Sequence, residues 1–104
     1  MGKNRDRVSI IAAILEAAHS GASKTRIMFM ANLSFNLLEK YLDLSVAAGF
    51  IQLDNGKYHL TEHGKAFLSK YKQFNDRYVN AQKLLDALGS EREKLVLMCE
   101  EGAS

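Results

Sequence analysis

The chain has no proline and one cysteine, Cys99, among its 104 residues. Without proline, no helix is kinked or stopped by a missing amide hydrogen, so punctuation falls to glycine and to side chains that cap helix ends. A lone cysteine cannot close an internal disulfide or complete a thiolate zinc site. Cys99 is therefore read as a small, partly buried hydrophobe, which points away from redox chemistry. No run of about eighteen uncharged apolar residues occurs, so no membrane-spanning helix is expected. The opening "MGKNRDRVSIIAAIL" contains Asp6 and lacks a small-residue cleavage pattern, which argues against a secretory signal and makes the cytoplasm the expected location. No Ser/His/Asp or Cys/His set and no phosphate-cradling glycine loop stands out, so nothing favours catalysis and no cofactor is expected. His59 and His63 stand four apart, but Thr61 between them marks a change from strand to helix, so no metal site is expected there.

What is present is an ordinary globular mix, 47% apolar and 25% charged, in a length suited to one domain. The formal net charge of +2 and pI of about 8.7 permit nucleic-acid binding without requiring it. Lys3, Arg5 and Arg7 crowd the first seven residues with only Asp6 against them. Residues 1–7 are either a basic arm that seeks phosphates or a solvated terminus.

Further along, Val8, Ile11, Leu15 and Ala18, with Ile10 and Ile14 beside them, recur at helical spacing until Gly21 supplies a left-handed stop. Ser23 caps a short second helix, "KTRIMFMA", with Ile27, Met30 and Ala31 on one side, before "NLS" interrupts it. From Ser34 a third helix, "FNLLEKYLDLSVAAG", places Leu38, Tyr41, Leu42, Ser45 and Val46 inward and Asn36, Glu39, Lys40 and Asp43 outward, and Gly49 ends it. In "FIQLDNGKYHL" the apolar spacing shortens to every second residue around Asn55-Gly56. If that pair forms a type I′ turn, Asp54 faces Lys57, Leu53 faces Tyr58, Gln52 faces His59 and Ile51 faces Leu60. Ile51, Leu53, Tyr58 and Leu60 then share a core face, and Gln52, Asp54, Lys57 and His59 share the wet face. A two-stranded ribbon is marginal alone, so its apolar side must rest on the preceding helices.

Thr61 caps the next helix, although Gly64 stands where a full capping box would have Glu or Gln. Along it, Phe67, Tyr71, Phe74, Tyr78, Ala81, Leu85 and Leu88 alternate steps of four and three, a heptad seam. Thr61 to Leu88 spans roughly 40 Å, more than the width of a domain of about sixty residues, so the far half exposes its stripe unless a second chain covers it. A homodimer is expected, with those seven residues as its interface. Gly89 followed by "SERE" suggests a stop and a short final helix carrying Leu95, Val96 and Met98, with one continuous helix as the alternative.

Three helices, a two-stranded ribbon and a long helix are the plan of a winged helix-turn-helix: mainly α, with a small β-hairpin and a C-terminal dimerisation helix. The segment "KTRIMFMANLSFNLLEKYLDLSVAAGFIQLDNGKYHLTEHGKAFL" resembles the winged-helix domains of small archaeal chromosomal DNA-binding proteins and their regulator relatives. In these, "TxIMxxANLS", "YL" and "LTxxGxxFL" recur, and the resemblance covers about residues 8 to 70. The expected organisation is a basic arm over 1–7, a winged-helix domain over 8–66, and a coiled-coil helix with a short terminal segment over 67–104.

The resemblance implies a nucleoid-associated protein, either a transcriptional regulator or a chromosome-associated one. It implies double-stranded DNA as partner and pairing of the last helix with its symmetry mate in an antiparallel coiled coil, where Ala81 receives Tyr71 or Tyr78 of the second copy. It also implies base contacts from Ser34, Phe35, Asn36 and Lys40, and phosphate contacts from Lys24 and Arg26. Asn55 and Lys57 of the wing complete the footprint, to which Arg5 and Arg7 of the arm add. The recognition face has no arginine for guanine and carries Glu39 and Asp43, which predicts weak sequence preference and supports a protein–protein adaptor as the alternative. Phe29 is expected to pack inside, whereas Phe35 is left open between packing and base contact.

Overall fold

The computed structural model of the chain describes residues 5–103, so Lys3 of the basic terminus lies outside the described residues. The elements are α1 (Arg7–Ala17), α2 (Lys24–Ala31), α3 (Phe35–Ala47), β1 (Ile51–Asp54), β2 (Lys57–Leu60) and α4 (Glu62–Ala103). The fold is mainly helical, a winged helix-turn-helix followed by a long C-terminal helix, as the spacing predicts.

Each helix of the winged unit starts on an oxygen that takes an otherwise orphaned amide. Asp6 accepts from Ser9 N at 2.9 Å, Ser23 Oγ from Arg26 N at 3.2 Å and Ser34 Oγ from Leu37 N at 3.2 Å. Each such cap contributes about 1 kcal/mol. Asp6 is thus a helix cap, and Arg7 is the first residue of α1 as well as the last of the basic run. The stops are equally local. Asn32, at φ 53°, takes the left-handed position usual for glycine, with Asn32 N donating to Phe29 O at 3.2 Å and Leu33 N to Met28 O at 3.1 Å. Gly49, at φ 79°, repeats the arrangement after α3, where Gly49 N donates to Val46 O and Phe50 N to Ser45 O. The α2–α3 turn is therefore held at both ends by backbone and cap hydrogen bonds, and this fixes the direction in which α3 presents its first turn.

The core joins Ile10, Ile14 and Leu15 of α1, Ile27 of α2, Leu38 and Leu42 of α3, Ile51 of β1 and Leu68 of α4. Ser45 is fully buried among them, its hydroxyl donating to Tyr41 O at 2.8 Å, so no polar group is left unmet there. On α2 the expected inner face is corrected. Met28 packs against the core beside the buried Ile27 and Ala31, and Met30 is exposed.

The wing has the predicted register, Ile51 with Leu60, Gln52 with His59, Leu53 with Tyr58 and Asp54 with Lys57. Asn55 at φ 57° and Gly56 at φ 78° give the type I′ turn. Leu53 departs from expectation: it shares its strand face with Ile51 but stands nearer the hairpin tip and is 58% exposed. A feature the alternation does not show is a bridge from Ala22 to Tyr58, with Ala22 N donating to Tyr58 O at 3.1 Å and Tyr58 N to Ala22 O at 2.8 Å. This third extended segment ties the ribbon to the connection between α1 and α2.

At the start of α4, Thr61 Oγ1 accepts from Gly64 N at 3.0 Å and shares its own proton between Gly49 O at 2.5 Å and Phe50 O at 3.0 Å. The Phe50 ring lies 5.0 Å from the His63 ring and 4.6 Å from that of Phe67. Phe67, Leu68 and Tyr71 pack on the core, and the first compact unit runs to Tyr71. A second unit begins at Lys72. Within it α4 continues without interruption to Ala103, so the expected stop at Gly89 is not made. One glycine costs a helix about 1 kcal/mol relative to alanine, too little to end one that has strong helix formers on both sides. Cys99 is exposed on this stretch, against the expectation of partial burial.

Candidate nucleic-acid interface

The first turn of α3 carries the exposed side chains that the fold itself does not use. Ser34 is occupied as the helix cap, accepting from Leu37 N. Phe35, Asn36, Leu37 and Lys40 are exposed, with Phe35 at 59%. Lys40 Nζ lies 5.2 Å from the centroid of the Tyr41 ring, beside the buried face of its own helix.

Lys24, the first residue of α2, is not an idle phosphate ligand. It forms an ion pair with Glu39 of α3, and its ammonium lies 5.3 Å from the centroid of the Phe35 ring. The hydrogen bond to Glu39 raises the Lys24 pKa above its ordinary value, outweighing the slight desolvation that opposes it. Glu39 stands one helical turn after Phe35, so one carboxylate, one ammonium and one phenyl ring form a brace between α2 and α3. Sequence reasoning assigned Lys24 and Phe35 separately. The i,i+4 spacing of Phe35 and Glu39 was visible, but the cation between them comes from another helix.

Arg26 is exposed in the first turn of α2. Arg5 Nη1 donates to Asn32 O at 3.1 Å, placing a guanidinium at the carbonyl end of α2 where a cation is favoured. Arg7 is exposed at the start of α1, and Asn55 and Lys57 are exposed at the hairpin tip with Asp54 opposite Lys57. The structure therefore gathers Lys24, Phe35 and Glu39 at one point, sets Asn36 and Lys40 on the same helix as Phe35, and carries Asn55 and Lys57 on the wing. Phe29 corrects the sequence reading. It is 85% exposed on α2, two residues from Ile27 and thus on the opposite side of the helix from the buried face.

Along the second unit, Phe74, Tyr78, Ala81, Leu85 and Leu88 of the heptad seam are all exposed. The first two seam residues, Phe67 and Tyr71, are partly buried against the winged unit's own core.

Residues 4–79 match the family described as winged helix-turn-helix. The chain is 39% identical over 66 residues to MJ0287, an uncharacterized protein of Methanocaldococcus jannaschii, which covers 62% of this chain and 68% of that protein. It is 34% identical over 70 residues to MJ0290, an uncharacterized protein of the same organism, covering 66% of this chain and 33% of that one. Among solved structures it is similar to Sso10a-2, a DNA-binding protein from Sulfolobus solfataricus, with a TM-score of 0.74 at 24% identity over 83% of this chain and 95% of that one. At that identity the likeness is one of fold.

Proposed function

The chain belongs to the winged helix-turn-helix family, and on that premise we propose that it binds duplex DNA, with α3 in the major groove and the hairpin tip on the neighbouring backbone. The observation that carries this is the exposed first turn of α3. Phe35, Asn36 and Lys40 are exposed and lie outside the hydrophobic core, on a helix whose start is fixed by the capped turn from α2. The described DNA-binding protein of the same fold supports the reading. Lys40, Lys57 and Arg26 supply phosphate contacts, and Asn36 pairs with adenine through its amide. With no arginine on α3 and with Glu39 and Asp43 on its flank, most binding energy comes from the backbone, so sequence preference is weak. A weakly selective protein suits a chromosome-associated role better than the holding of one operator.

The exposed seam of the second unit supports a homodimer paired through α4, which would double the DNA contacts per particle. Titrating the intact protein against a mixed-sequence duplex at two salt concentrations tests the DNA reading. Saturable binding that falls steeply with salt is expected, and Lys40→Ala or Lys57→Ala should each flatten the log–log slope by roughly one. Glu39 and Asp43 favour the second reading, an adaptor that docks another protein. That reading takes over if no saturable binding is seen at the lower salt.

A further inference from the structure

We infer that Phe35 reads the C5-methyl group of thymine in the major groove, giving the protein a preference for A·T pairs; the inference rests on the DNA-binding reading above. A phenyl ring on the first residue of a recognition helix, left 59% exposed, gives the fold little burial. Yet it is held in place. Lys24 lies over the ring at 5.3 Å, and Glu39, one turn further along α3, holds the Lys24 ammonium. The brace spends two charged side chains of opposite sign on positioning one apolar side chain, and the ion pair itself leaves no net charge for phosphate.

A phenyl ring has no donor or acceptor, so it cannot use the hydrogen-bond pattern of the base edges. The one apolar feature that unmodified bases present in the major groove is the thymine methyl. The neighbouring residue agrees. Asn36, exposed beside Phe35, carries the amide that matches adenine N6 and N7. No arginine stands on α3 to favour guanine. Phe35 and Asn36 therefore favour A·T pairs by two independent chemistries, apolar contact with one base and paired hydrogen bonds with the other.

The test compares the intact protein on two pairs of otherwise identical duplexes: A·T-rich DNA with thymine or with deoxyuridine, and G·C-rich DNA with cytosine or with 5-methylcytosine. Losing one methyl contact should weaken binding about fourfold, and adding one should strengthen binding to the G·C duplex by a similar factor. Phe35→Ala should abolish both differences while leaving the salt slope unchanged, and Phe35→Leu should keep most of the thymine preference. Equal affinity for the thymine and deoxyuridine duplexes overturns the inference and leaves DNA binding standing. So does a thymine preference that survives in Phe35→Ala. Failure to bind any of the four duplexes at low salt overturns both the inference and the DNA reading.

Discussion

Gly64 occupies the first turn of α4, where a Cβ would run into the carbonyl oxygen of Phe50. That carbonyl also accepts from Thr61 N at 3.0 Å, so the backbone cannot retreat without breaking the junction between wing and helix. Gly64→Ala should therefore cost about 3 kcal/mol, read as a lowered melting temperature of the winged unit by circular dichroism; an unchanged melt would show that the contact can relax. In the sequence Gly64 shows only as a missing capping-box member, since its reason is the carbonyl of Phe50, the residue before β1 and fourteen positions earlier. Thr61, Ser23 and Ser34 were legible, because capping is decided within four residues. The Lys24–Glu39 pair gives a second prediction. Glu39→Gln removes one negative charge from the recognition helix and frees Lys24 for phosphate, so DNA affinity at low salt should rise severalfold with a slope steeper by up to about one. The exposed pair contributes little to stability. Because the folded Lys24 pKa is raised, that contribution is complete below the ordinary value of 10.5 and is lost as pH rises through the raised value. Alkaline titration of wild type against Glu39→Gln should therefore converge only at the top of the range, and weaker DNA binding by the variant would contradict the proposed orientation of α3.

At the scale of elements, periodic segments announced themselves and single contacts did not. The four-pair register of the wing followed from Asn55-Gly56 and the alternation around it, because a slip by one residue would send Ile51 to solvent. The Ala22–Tyr58 bridge involves one residue on its first strand, and one residue has no period to read. On α2 the spacing of Ile27 and Ala31 turns Phe29 outward, and this geometry overrides the general tendency of aromatics to pack inside. Gly89 tests the opposite kind of error. A glycine followed by Ser90 and Glu93 resembles a stop and a new start, yet α4 is continuous there, with open space around the position a Cβ would take. Gly89→Ala should thus stabilise α4 by about 0.5–1 kcal/mol and increase helical ellipticity. A helix that stopped at Gly89 would place it in a left-handed conformation, and the same substitution would then destabilise the protein.

For the whole molecule, the decisive quantity is the apolar surface left open on the second unit. Phe74, Tyr78, Leu84, Leu85, Leu88 and Leu95 are all exposed there, and large contiguous patches of that kind are rare on soluble monomers. The heptad steps were readable because they depend only on spacing. Where the seam leaves the domain was not, because the burial of Phe67 and Tyr71 depends on Phe50 and the core they meet. A homodimer closed by Tyr78, Ala81, Leu85 and Leu88 has a stability that depends on protein concentration. The melting temperature of the intact chain should rise as concentration is raised, and sedimentation should report twice the chain mass. Leu85→Lys would place an unpaired charge in the seam of each helix. It should raise the dissociation constant by about a hundredfold, about 3 kcal/mol, and remove the concentration dependence. Leu97→Lys serves as the control, since the twelve-residue step from Leu85 at about 100° per residue sets Leu97 some 120° around the helix from the seam, and that variant should remain a dimer. If wild type sediments as a monomer across the whole range, or if Leu97→Lys dissociates it as readily as Leu85→Lys, then the seam is not what joins two copies, and any doubling of DNA contacts must come from another surface.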